Sequence, residues 1–300
     1  MRALPRLQLL FPFAVIITIM FYKLIACEIA FRELCYAAAR SPNLIDLEFL
    51  TQGYHDIPAT GRAEIQKRID AVPAGRYDAI LMGYGLCSTI LTGLTAAHTQ
   101  LVIPRAHDCI TFFLGSKERY QECFNAKPGT YYYTSGWLEC AKRRGNKGPI
   151  WGGASLPAGA NANFQAAYEE WVKKYGEDQA NYLREEMNRW TDSYSHGTLI
   201  EFDFVKHLKM REQVEQICAE RGWDYDEIKG DMGMFHKLLD GDWPDSAFLV
   251  VQPGQKVIAT NDEKVIGVEP IPSLTPSAGS DLAPQLIRRT PAPPRAKLAG

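Results

Sequence analysis

Three cysteines each stand just past a short apolar run: Cys27 ends YKLIAC, Cys87 follows AILMGYGL, and Cys109 follows LVIPRAHD. In the last run Pro104 stops the strand, and Arg105, His107, Asp108 and Cys109 then bring a guanidinium, an imidazole, a carboxylate and a thiol together. A connecting loop needs no such chemistry. Zinc takes Cys and His tetrahedrally, and a catalytic zinc keeps one position open. Three cysteines can equally hold an iron–sulfur cluster with one iron free. Cys27, Cys87, Cys109 and His107 are therefore candidate metal ligands, for zinc or an iron–sulfur cluster. Two other readings stand beside this one: a nucleophilic or redox cysteine without metal, and small buried residues at tight strand–helix junctions. The chain has no CxxC pair, so ligand type rather than spacing carries the metal reading.

His107 also suits a general base, with Asp108 or Glu28 to orient it. Arg105 beside a helix start favours an anionic ligand, because helical N–H groups and the guanidinium both attract negative charge. His107, Arg105 and Asp108 are thus the catalytic candidates. Gly83-Tyr84-Gly85 can let a ligand approach the backbone, and together with Arg105 and Ser116 it forms the candidate substrate-binding set. GxGxxG and Walker patterns are absent, which leaves nucleotide binding without support.

The elements that must position these residues alternate. Strands are expected at 22–26, 44–50, 77–82 and 99–103, with helices over 29–40 and 61–72. Apolar residues at helical spacing (Ile29, Leu34, Cys35, Ala38) and breakers at Ser41-Pro42, Pro73 and Gly75 mark the joins. In such a sheet the strand ends share one edge, where ligands bind. Cys27, Cys87, His107, Cys109 and also His55, after the second strand, converge there. Cys35, Cys123 and Cys218 fall inside helical runs, and Cys140 in a Gly- and Lys-rich loop. Helices are expected over 161–174 and 177–190, with Phe164, Tyr168, Trp171 and Tyr175 as a packing stripe. Strand–helix–strand–helix–strand then recurs from Thr198 to Val251. The expected fold is α/β: two Rossmann-like lobes with mainly parallel sheets facing a cleft. The first lobe spans 22–128 and the second 198–268, with a connecting helical segment at 129–197.

With 300 residues, 46% apolar and 23% charged, the composition is that of an ordinary globular enzyme. A net charge of -2 without any Lys/Arg block argues against nucleic acid as a partner. Seven scattered cysteines read as a reducing, cytoplasmic protein rather than a disulfide framework. Residues 1–21 resemble a charged start and apolar stretch but lack a small-residue cleavage site. We read them as lying outside the domain, with Met20 as the natural start and no membrane anchor. Seven prolines in residues 269–300 mark a disordered tail.

YKLIACE, HDIP at 55–58, YDAILMGYGLC, LVIPRAHDCITFFLGSKERY, GTYYYTSGW and DGDWPDSAFLVVQPG together resemble a prokaryotic family known as domain of unknown function 1638 (DUF1638). The resemblance runs from about Tyr22 to Val251. It supplies no activity, but it implies an association with corrinoid-dependent methyl metabolism and a corrinoid or methyltransferase partner. The function expected is a metal- or Fe–S-dependent transferase or lyase acting on a small anionic metabolite, in methyl or one-carbon chemistry. The alternatives are a non-catalytic metabolite- or metallocofactor-binding protein and a metal-free thiol enzyme.

Overall fold

Apolar runs at β1 (Phe21–Cys27), β3 (Ala79–Gly83) and β4 (Leu101–Pro104) are buried on both faces, as central strands of a parallel sheet must be. β2 (Leu44–Leu50) instead alternates apolar with acidic residues and takes an edge. There Asp46 and Glu48 pair with Lys23 of β1. The computed structural model describes residues 19–56, 58–87, 89–144, 168–169, 171–189 and 193–271. The result is a mixed α/β fold with a mainly parallel central sheet. Its order is β2-β1-β3-β4-β8, the first four strands parallel and β8 (Phe248–Val251) antiparallel to β4.

Chain order reverses direction between β1 and β3, which makes the carboxyl ends of these two strands the place where an open sheet parts to admit a ligand. Helices α1 (Phe31–Ala38), α2 (Pro58–Asp70), α3 (Cys109–Leu114) and α4 (Lys117–Ala126) follow β1, β2 and β4. A second, three-stranded parallel sheet has the order β5-β6-β7: β5 (Thr130–Tyr133), β6 (His196–Glu201) and β7 (Asp224–Lys229).

Three expectations are corrected here. β8 does not join the second sheet. It pairs with β4 from Leu101↔Val251 to Pro104↔Phe248, because four wholly apolar residues cover an otherwise open, buried edge. The region after β5 is a helix, α5 (Ser135–Arg144), so Cys140 is helical and buried rather than in a loop. Thr134 accepts a hydrogen bond from the Trp137 N–H at 3.3 Å and caps this helix. Gly136 lets it press onto the turn after β1, where an added Cβ would stand 1.7 Å from the Ile29 carbonyl oxygen. Finally, Glu269 and Pro270 are not tail. They end β10 (Ile266–Pro270), which pairs antiparallel with β9 (Gln255–Ala259).

The described residues up to Pro270 belong to one compact unit. Beyond it only Ile271, which is exposed, is described. The expectations for residues 1–18, for 145–167 and for the rest of the tail lie outside the described residues, and Phe21 belongs to β1 rather than to a segment before the domain. Among the described residues no helix is long and apolar enough to cross a membrane.

Candidate functional site

Cys27 closes β1, and its Sγ lies 3.5 Å from Nε2 of His55. His55 rides a 3-10 turn, Gln52–Asp56, that follows β2. The Glu28 carboxylate anchors this turn by accepting from the Gln52 N–H at 2.9 Å and the Thr51 hydroxyl at 3.1 Å. Glu28 thus holds the turn that carries His55.

Cys87 lies four residues past β3 with φ +39, a left-handed backbone that costs a residue with a side chain about 1–2 kcal/mol. Two backbone bonds hold it there: Leu86 N–H to Ala106 O at 2.8 Å and Cys87 N–H to His107 O at 2.9 Å. Such strain persists only where the surroundings over-determine it, and it concentrates at functional sites. Gly85 makes the clamp possible. A Cβ there would stand 2.7 Å from the Asp108 carbonyl carbon. Gly85→Ala is accordingly expected to lower stability by about 1–3 kcal/mol and to speed alkylation of Cys87, read by denaturant midpoint and by mass-resolved thiol labelling. Gly83 serves packing too, its missing Cβ leaving room for that of Ala26. Both glycines let neighbouring protein atoms approach the backbone.

Cys109 opens α3. Its neighbour Asp108 caps that helix, Oδ1 accepting from the N–H groups of Ile110 at 3.0 Å and Thr111 at 3.3 Å. The other oxygen accepts from the Tyr120 hydroxyl at 3.2 Å. Burial pushes the Asp108 carboxyl above its ordinary range against the pull of these bonds.

Burial also pushes the thiols of Cys27, Cys87 and Cys109 far above their usual range, so all three are neutral thiols near pH 7. Each also feels a second thiol: Cys109 acts on Cys27, Cys27 on Cys87 and Cys87 on Cys109. Cys140, reaching in from α5, acts on Cys27 as well. Cys87 and Cys109 line one cavity together with His55, the residue that Cys27 meets.

A cavity of about 500 Å³ opens over them, lined by His55, Cys87, His107, Asp108 and Cys109 on the first sheet's side. Its other wall is aromatic, with Tyr131, Tyr132, Trp137 and Tyr194 around the edge strand β5 and Tyr120 from α4. Ring centroids in this wall lie 5.3 Å apart for Tyr131 and Tyr194 and 6.3 Å for Tyr131 and Trp137. The run of three tyrosines was visible in the sequence, but only the fold turns it toward the thiols.

Arg105 takes no part. It is 3% exposed, and its guanidinium donates to Asp245 O at 2.7 Å, Asp245 Oδ1 at 2.9 Å, Lys264 O at 3.1 Å and also Ile266 O. It therefore ties the end of β4 to the loop before β8 and to β10. Ser116 caps α4, accepting from the Arg119 N–H at 3.1 Å. Both residues line a different, smaller cavity of about 160 Å³. His107 lines the large cavity but is exposed, and the imidazole against Cys27 belongs to His55. Among the described residues, no group of three or more His, Cys, Asp or Glu has the spacing of a metal-binding set. Of the candidate ligands, Cys87, Cys109 and His107 line the large cavity, and Cys27 lies against His55.

No curated protein and no solved structure matches the chain. The family described as "Protein of unknown function (DUF1638)" matches residues 49–239, which takes in His55, Cys87, Cys109 and Cys140 but stops short of Cys27. That is well over half of the sequence, and the chain belongs to the DUF1638 family.

Proposed function

We propose that this chain is an enzyme that binds a soft metal ion, zinc, or an iron–sulfur cluster through Cys27, Cys87, Cys109 and His55, and acts on a small molecule in the aromatic cavity. The contact between Cys27 and His55 carries this reading. Two ligands about 2.3 and 2.0 Å from a tetrahedral ion stand about 3.5 Å apart, which is the separation found for this pair. Cys27 is 1% exposed and lies behind the cavity wall, poorly placed to attack a substrate but suited to be a ligand. Cys87 and Cys109 face the cavity and would complete the set from that side. A thiolate- and imidazole-held ion with one position open supplies Lewis acidity or thiol activation at that position.

The protein's own residues do the rest. The aromatic wall binds a flat or alkyl-bearing substrate and excludes water. Lys127, exposed at the same cavity and paired with Asp226, is the cation that a small anionic metabolite would meet there. In this reading the two parallel sheets are Rossmann-like lobes, the cavity is the cleft between them, and a one-carbon or alkyl group is the fragment transferred.

The test is metal analysis of anaerobically purified protein with single substitutions. Cys27→Ser, Cys87→Ser, Cys109→Ser and His55→Ala should each weaken binding of the ion by about 10-fold or more, whereas His107→Ala and Cys218→Ser should retain it. Visible absorption separates a cluster from zinc. Wild-type protein that holds no ion and takes up none while its thiols are reduced would refute the proposal and favour the metal-free thiol enzyme.

A further inference from the structure

Six aromatic rings line the large cavity, those of Tyr120, Phe124, Tyr131, Tyr132, Trp137 and Tyr194, against two isoleucines. Tyr131 and Tyr132 are neighbours in β5 and stand on opposite faces of the strand. Both reach the cavity because β5 is the edge strand of its sheet. An alkyl chain is served as well by aliphatic walls. What rings add is a negative π face, which attracts a cation within about 6 Å of its centroid. Tyr131 stands at 86° to Tyr194 with 5.3 Å between centroids, and at 49° to Trp137 with 6.3 Å. Faces turned this way let one small cation lie against more than one ring.

Charge in the wall has the matching sign. Asp108 lines the cavity, and the donors to its carboxylate are neutral: the N–H groups of Ile110 and Thr111 and the Tyr120 hydroxyl. Lys127, whose side chain is 47% exposed, is already paired with Asp226. Among the described residues of this wall, Asp108 is therefore the carboxylate left for a ligand. A methylated ammonium spreads its charge over methyl groups, which pack on rings and ask for few hydrogen-bond acceptors. We propose that the cavity takes a methylated ammonium group, held by the ring faces and by the Asp108 carboxylate, with any anionic end of the same molecule turned toward Lys127. The inference rests on the reading that this cavity is the substrate site, and not on a bound ion.

The experiment titrates the full chain, with and without added zinc, by ligand-observed NMR at fixed pH and ionic strength. Three probes of one shape are compared: choline, its uncharged carbon isostere 3,3-dimethylbutan-1-ol, and the anion 3,3-dimethylbutanoate. Choline should bind about 10-fold more tightly than either of the others. Asp108→Asn, which keeps the helix cap but removes the charge, and Tyr194→Leu should each weaken choline about 10-fold, while Tyr194→Phe retains its affinity. Thermal midpoints confirm that the variants are folded. The alcohol binding as tightly as choline, or the butanoate more tightly, would overturn the inference and leave the cavity as the substrate site. Choline affinity unchanged in both Asp108→Asn and Tyr194→Leu would place its binding elsewhere and overturn the inference too. Binding of none of the three probes would fail the cavity as substrate site, and this inference with it. Protein that takes up no zinc or iron yet prefers choline would fail the ion site alone and support the inference.

Discussion

Replacing Arg105 with Met is expected to destabilise the protein by about 3 kcal/mol or more, and not to abolish ligand binding in the molecules that remain folded. The guanidinium is buried, yet the carboxylate it meets, Asp245, is 76% exposed, so the ion pair itself is worth little. The larger cost is the set of carbonyl oxygens left behind. Asp245 O and Ile266 O accept from Arg105, and methionine offers them nothing, whereas Lys264 O keeps its bond from the Ile266 N–H at 2.7 Å. Each buried acceptor without a donor costs about 1–3 kcal/mol. For a domain of this size the fall in melting temperature should be on the order of 10 °C. Hydrogen exchange should show β9 and β10 losing protection before the central strands. A catalytic Arg105 would behave in the opposite way, with normal stability and lost function. Arg105→Met protein that melts like wild type would rule out the structural role.

The second large effect concerns Glu33, which is wholly buried in α1. One carboxyl oxygen accepts from the Ser135 hydroxyl at 2.8 Å, and the other has no partner. The charged neighbours on the two helices are Arg32 and Glu139, which hold each other at 2.6 Å. Burial, the leading cause, raises the Glu33 carboxyl to about 7, with Ser135 and Arg32 pulling it down and Glu139 pushing it up. In the unfolded chain Glu33 releases its proton near the usual 4.5, so between the two values the native state holds more protons than the unfolded state. Stability must therefore fall as pH rises from about 4.5 to about 7 and level off above that. The drop from this group should be on the order of 3 kcal/mol. Glu33→Gln should flatten most of the slope and leave the protein more stable than wild type at pH 8, measured by urea unfolding across that range. Asp108, also raised by burial, leaves a residual slope of the same sign. An unchanged slope in Glu33→Gln would mean that water reaches the carboxylate. Because Ser135 opens α5, which carries Trp137 and Cys140, the same window of pH should loosen that wall of the cavity.

The sequence by itself determined the strands of the central sheet and the placing of Cys27, Cys87 and Cys109 at or just past the ends of three of them. Both follow from local physics. Apolar runs such as AILMG and LVIP can be buried only inside a sheet, Pro104 and Gly83 end them, and parallel strands with helical crossovers must bring their carboxyl ends to one edge. Side-chain direction is not local. Arg105 and His107 are two residues apart, yet one turns back into β10 and the other out to solvent, a choice made by the carbonyls that happen to lie behind β4. His55 and not His107 meets Cys27 because Glu28 pins a 3-10 turn at the end of β2. Glu33 sits on an apolar helix face because a single serine of a distant helix donates a hydrogen bond to it there, and β8 pairs with β4 because that edge lacked a cover. Each of these depends on which surface arrives opposite. Tertiary structure alone decides that, since the free energy of a polar side chain is set by its partner and not by its place in the chain.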